Sequence, residues 1–157
     1  MKTFIEKKNN ICRLVKNAHD SHSPKILLAE DDNEMRNLLT LILRKEGYRV
    51  TECTDGISLL DMLSSFFLPS KEYDNFDLII SDIRMPGVTG MEILMGAKEF
   101  DNFPPMILIT AFGDKETHVL AERLGAAALF DKPFDIDDML KKVRAILLHS
   151  VQTESLR

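Results

Sequence analysis

Cysteine is scarce in this chain: Cys12 and Cys53 are the only two. Their spacing fits neither a metal-ligand pattern nor a disulfide framework. They read as buried or incidental thiols of a protein kept in a reducing cytoplasm. Long apolar runs are also missing. No stretch approaches the ~20 residues of a membrane span, and the basic N-terminus lacks the apolar core of a secretion signal. Internal repeats and low-complexity segments are absent, which excludes solenoids and biased tracts. Positive charge is thin outside the first residues. Residues 1–24 hold Lys2, Lys7, Lys8, Arg13 and Lys16 against Glu6 and Asp20, a local +3. The whole chain carries −5, so the remainder carries −8. Such a body lacks the Lys and Arg needed to replace the counterions of a phosphate backbone, so no nucleic-acid surface is expected.

What is present is 157 residues, enough for one domain with a single core. Residues 1–24 form an extension closed by the breaker cluster Ser21-His22-Ser23-Pro24. Ile11, Leu14, Val15 and Ala18 fall at helical spacing within it, so a short basic helix and a frayed leader both fit. From Lys25 a regular alternation begins. Short apolar runs at 25–29, 48–53, 77–81, 106–109 and 127–130 read as strands. Helical patterns occupy 33–46, 57–67, 90–99, 115–124 and 136–148, with Gly47 and Gly125 as stops and Asp135 as an N-cap. The first helix carries apolar residues at 35, 38, 39, 42 and 43. Five strands alternating with five helices predict an α/β fold, a parallel sheet covered on both faces. The polar tail 149–157 fits either a native end or the start of a linker.

Ligands of open α/β sheets sit beyond the carboxyl ends of the strands. The first strand is followed by Glu30, Asp31 and Asp32. The third ends at Asp82, the fourth at Thr110 and the fifth at Lys132. Crowded carboxylates repel one another and need a cation or a proton. An all-oxygen ligand set suits a partly hydrated Mg²⁺. A carboxylate beside such an ion, with lysine on its other flank, can attack a phosphoryl donor and form an aspartyl phosphate. The Thr110 hydroxyl can then bond a phosphoryl oxygen. Asp32 reads as a helix-start residue rather than a metal ligand.

Four blocks in order carry a resemblance. They are Glu30-Asp31-Asp32-Asn33-Glu34-Met35-Arg36, Ser81-Asp82-Ile83-Arg84-Met85-Pro86-Gly87 with Gly90, Thr110-Ala111, and Lys132-Pro133-Phe134. Together they resemble a response-regulator receiver domain of two-component signalling, over roughly residues 25–148. The resemblance implies a flavodoxin-like doubly wound (βα)5 fold with strand order 2-1-3-4-5. It implies that Asp82 is the phosphoacceptor, and that Asp31 and Asp82 bind Mg²⁺ directly. Glu30 would bind the ion through water and Arg84 through its backbone carbonyl, with Mn²⁺ able to substitute. Thr110 would be the switch hydroxyl, Lys132 the phosphate-contacting lysine, and Lys132–Pro133 a cis peptide. The partner implied is a histidine kinase or phosphotransfer protein. A homodimer mate or effector would read the face of the fourth helix, fifth strand and fifth helix. A receiver is a switch in the cytoplasm, not a turnover enzyme.

Three departures from the family pattern stand out. Leu129 occupies the place of the switch aromatic, with Phe130 aimed at the opposite face by strand alternation. Phe112 and Arg84, two residues after Thr110 and Asp82, border the path of an attacking water, and bulky Phe112 is expected to slow phosphoryl loss. Segment 64–75 is long, and Phe66, Phe67 and Leu68 offer either a partner surface or an extra helical turn packed on the body. The run Ala126-Ala127-Ala128 lacks the acids that some family members use in dimer salt bridges. Rival readings fare worse. A dehalogenase-type phosphatase needs an acid where Arg84 stands. A cofactor binder needs a phosphate cradle where Glu30-Asp31-Asp32 repels phosphate. A degenerate receiver that only docks partners would not need the complete set of Glu30, Asp31, Asp82, Thr110 and Lys132.

Overall fold

The computed structural model describes residues 23–67 and 75–154. The N-terminal extension up to residue 22, read as a short basic helix or a frayed leader, lies outside them, as do residues 68–74 of the long segment and the Phe67 side chain. Five strands form one parallel sheet: β1 Lys25–Ala29, β2 Arg49–Cys53, β3 Leu78–Asp82, β4 Met106–Thr110 and β5 Ala128–Asp131. Their order is β2-β1-β3-β4-β5, as expected. Five helices cover the sheet among the described residues: α1 Asn33–Lys45, α2 Gly56–Phe67, α3 Gly90–Ala97, α4 Lys115–Arg123 and α5 Ile136–Glu154.

Strand alternation divides the core into two layers. Leu27, Ile79 and Leu108 face a layer completed by Leu59 and Leu63 of α2, Ile93 and Leu94 of α3, and Ala121 of α4. Ile26, Leu28, Ile80 and Ile107 face the other, completed by Leu39 and Leu43 of α1 and Val143 and Leu147 of α5. Both sides of the inner strands are therefore buried, which is why they read as continuous apolar runs. Asp135 caps α5 as expected, its Oδ1 accepting the Asp137 and Asp138 amides at 2.7 and 3.3 Å.

Several details differ from the pattern in the sequence. On α1 the inward stripe is Arg36, Leu39, Thr40 and Leu43, a clean i, i+3, i+4, i+7 set. Leu38 is turned outward and 46% exposed, because two of the four inward places go to polar residues. β3 and β5 each start one residue later than expected and take in Asp82 and Asp131. Asp77 is instead tied to Lys25, donating its amide to the Lys25 carbonyl at 2.8 Å and accepting the Lys25 amide at 2.7 Å. α5 runs on to Glu154, past the last apolar residue that marked its end in the sequence. Phe66 is no free surface: it packs on the core layer and its ring lies 5.5 Å from that of Phe103.

Candidate functional site

Parallel strands point their carboxyl ends one way, so the residues closing β1, β3, β4 and β5 share one rim. β1 delivers Glu30, fully buried, and then Asp31, which is exposed. Asp32 turns away into the helix start, its side chain accepting the Met35 amide at 2.8 Å. It is the N-cap of α1, as its place in the row suggested. β3 ends on Asp82, 4% exposed, and β4 on Thr110, 1% exposed. After β3 the chain turns at Gly87, whose φ of +86° suits glycine. At Gly90 an added Cβ would meet the Asp82 carbonyl at 2.7 Å, so a side chain there would crowd the site.

One carboxylate oxygen each from Glu30, Asp31 and Asp82 lies within 4.8 Å of the others. Three hard oxygen donors in that space fit a small divalent cation. Lys132 reaches in from beyond β5. Its Nζ donates to Asp82 Oδ2 at 2.7 Å and to Glu30 Oε2 at 2.8 Å. The second oxygen of each acid is also occupied: Asp82 Oδ1 accepts the Arg84 amide at 2.8 Å, and Glu30 Oε1 the Asp32 amide at 3.1 Å. Burial pushes the Glu30 carboxyl above its ordinary value, against the pull of its Lys132 and Asp32 bonds. Burial works to lower the Lys132 ammonium, but its bonds to Asp82 and Glu30 outweigh that and raise it. The Lys132–Pro133 peptide is cis.

The side around Thr110 is looser. Thr110 Oγ1 accepts the Phe112 amide at 3.1 Å. Phe112 is 64% exposed, with the Arg84 guanidinium 4.7 Å above its ring centre. The sequence placed both residues at the site's edge and gave no signal that they stack, since the contact joins two loops. Beneath them lies a cavity of about 310 Å³ lined by Ile83, Met91, Thr110 and Leu120 among others. Leu129 packs on the layer under α4. Phe130 faces the opposite layer, its ring 5.7 Å from that of Phe134, so it does not stand in for an aromatic at 129. His118 Nε2 meets Asp131 Oδ2 at 2.8 Å. An added Cβ on Gly113 would sit 1.5 Å from Asp131 Oδ1, so only glycine lets the loop lie against that pair. Arg36, a further residue that sequence reasoning passed over, is buried and donates to the Glu30 carbonyl at 2.8 Å.

Comparison with known proteins agrees with this geometry. The sequence model of the response regulator receiver domain matches residues 26–144. Sporulation initiation phosphotransferase F of Bacillus subtilis is 33% identical over 123 residues, covering 78% of this chain and 93% of that protein. The transcriptional regulatory protein CpxR of Escherichia coli K12 is 35% identical over 130 residues, covering 83% of this chain and 52% of that protein. The chain thus spans about half the length of that transcriptional regulator. Among solved structures, a response regulator receiver domain protein (CheY-like) from Methanospirillum hungatei superposes with a TM-score of 0.71 at 26% identity, over 84% of this chain and 99% of that one. The receiver domain of the Francisella response regulator 1452 superposes with a TM-score of 0.72 at 23% identity, over 82% and 99%. No helix among the described residues is long and apolar enough to cross a membrane. With its sheet order, its rim of acids and a match over most of its length, the chain belongs to the response-regulator receiver domain family.

Proposed function

We propose that this chain accepts a phosphoryl group on Asp82 from a histidine kinase or phosphotransfer protein and passes the change to a partner. The observation that carries the reading is Lys132, whose ammonium spans Asp82 and Glu30 inside a cluster of three carboxylates. Asp31 and Asp82 would hold Mg²⁺ directly, Glu30 through water and Arg84 through its carbonyl, with Mn²⁺ able to replace it. When bound, the ion neutralises charge on the transferred oxygens.

An Asp82 carboxylate oxygen forms the new O–P bond as the bond between phosphorus and the donor's leaving atom breaks, the leaving group keeping the electron pair. Lys132, already at Asp82 Oδ2, follows the negative charge onto the phosphoryl oxygens. The Thr110 hydroxyl turns to donate to one of them, drawing the loop 111–114 inward. Leu129 packs in the layer under α4, the helix that follows that loop, so the movement reaches the face of α4, β5 and α5, where an effector or a second copy reads it. The Arg84–Phe112 stack covers the approach of water to the phosphoryl group and prolongs its life. The chain is altered by the reaction it assists, so it serves as a switch.

Acetyl phosphate with Mg²⁺ should add one phosphoryl group to the chain, detected by intact mass, and Asp82→Asn should abolish the addition. Beryllofluoride with Mg²⁺ should bind the wild type and not that variant. Modification that survives in Asp82→Asn would put the acceptor elsewhere and overturn the reading, and none in the wild type would leave only a docking module.

A further inference from the structure

Phosphoryl transfer uses the charges of Lys132 and the acids, yet a second cation is buried next to them. Arg36 is 9% exposed on the inward stripe of α1. Its guanidinium serves three elements at once. Nη1 donates to the buried Glu30 carbonyl at 2.8 Å. Nη2 donates to Asn33 Oδ1 in the first turn of α1. Nε lies 3.5 Å from Glu52 Oε2 on β2, an acid that Arg44 shares at 3.4 Å. A flat fork with fixed donor directions can hold three acceptors in one arrangement, which a lysine cannot. A charge buried this deeply persists only when its donors are satisfied.

We infer that Arg36 is a positioning residue that sets the affinity of the acidic cluster for its divalent cation. This rests on the metal-assisted reading of the site proposed above. The Glu30 carbonyl belongs to the peptide unit joining Glu30 to Asp31, so pinning that oxygen fixes the plane from which Asp31 departs. Glu30 has further anchors, since its carboxylate is held by Lys132 and the Asp32 amide. Asp31 is exposed, and its direction depends on the backbone that presents it. Rotation of the Glu30–Asp31 peptide plane carries the Asp31 oxygen out of the 4.8 Å cluster while Glu30 and Asp82 stay in place. Arg36 acts on the metal through a ligand's backbone, the kind of outer support whose loss costs about 10- to 100-fold in metal affinity.

Calorimetric titration of Mg²⁺ into the whole chain tests this with Arg36→Met, Arg36→Lys and Glu52→Gln. Arg36→Met should raise the Mg²⁺ Kd about 10-fold or more, and Arg36→Lys, which keeps the charge and one donor, should recover part of it. Glu52→Gln leaves the carbonyl bond intact and should stay within about twofold. With acetyl phosphate, the Mg²⁺ concentration for half-maximal phosphorylation should rise in Arg36→Met by the same factor. The plateau at saturating Mg²⁺ should return to near wild type, whereas general loss of structure would lower the plateau as well. A folded Arg36→Met with unchanged Mg²⁺ affinity overturns the inference. If that variant does not fold, Arg36→Gln replaces it, and unchanged affinity there has the same consequence. Failure of the underlying reading looks different: the wild type itself would then bind no Mg²⁺, and Asp31→Asn would match it.

Discussion

On one side of the rim, Glu30, Asp82 and Lys132 are locked together at 2.7–2.8 Å, and every carboxylate oxygen of the two acids has a donor. On the other side, the Thr110 hydroxyl accepts the Phe112 amide, Phe112 lies in solvent under a guanidinium, and cavities of about 310 and 250 Å³ flank Thr110 and Leu129. Buried charge has to be held from several directions or its desolvation is not offset. That requirement stiffens the side that the proposed function makes the chemical one. The side that the proposed function makes the readout carries no such obligation, and space beside Leu129 and exposure at Phe112 leave it room to rearrange. A switch needs both: a fixed place for the reaction, and a neighbour with two arrangements of similar energy.

The sharpest way to break this comparison is Lys132→Met. It strands the buried carboxylates of Glu30 and Asp82 without a cation, which should cost about 3 kcal/mol or more in urea unfolding. Phosphorylation by acetyl phosphate should fall by about 100-fold or more at saturating Mg²⁺. The pH dependence follows from the raised ammonium. Stability from a group with a raised folded value is complete at neutral pH and is lost as pH rises through that value, which here lies above the ordinary 10.5. The wild type should therefore lose this share above about pH 10.5, and Lys132→Met should lack that alkaline component. If the variant unfolds at the same urea midpoint as the wild type, the chemical side is not locked as described.

A smaller effect is expected from Phe112→Ala on the readout side. The aspartyl phosphate should decay several-fold faster, followed by intact mass after removal of acetyl phosphate. Stability should change by no more than about 1 kcal/mol, because the ring is exposed and an exposed cation–π contact contributes about 0.5–1 kcal/mol. An unchanged decay rate would mean that the stack does not cover the phosphoryl group. A loss well beyond 1 kcal/mol would mean that this side is as tightly held as the other.

The same contrast decides what could be read from the sequence. Strands buried on both faces announce themselves as apolar runs, and a chemical residue at the end of each run is visible once the runs are aligned. That Glu30, Asp31, Asp82, Thr110 and Lys132 meet at one rim was legible for that reason. Arg36 was not, because the helical pattern gives the inward stripe to apolar residues, and Leu38 fitted the pattern better while facing out. The Arg84–Phe112 stack joins two loops, whose relative placement no local periodicity encodes. The His118–Asp131 pair depends on Gly113 letting a loop press against β5, a close approach that a lone glycine does not reveal. The last turns of α5 past Leu148 carry a single apolar residue, Val151, so apolar spacing stopped short of them.

A paired contrast comes from adding volume to each side. Ala29 is fully buried at the end of β1, next to Glu30, and packs in the layer with Leu27, Leu59 and Ile79. Ala29→Val adds two methyl groups at a fully buried position, and overpacking of a core costs about 1–3 kcal/mol. Leu129 is half-buried beside the cavity of about 250 Å³ lined by His118, Ala121, Ala126 and Ala128. Small alanines leave that space open, so Leu129→Phe can swing its ring into it and should change stability by less than about 1 kcal/mol. Differential scanning calorimetry should show this as a Tm shift of no more than about 4 °C for Leu129→Phe and a larger drop for Ala29→Val. Equal drops would mean that the cavity closes in solution and that both sides are packed alike. The readout proposed above would then have to come from movement of α4 as a whole, with no contribution from rearrangement around Leu129.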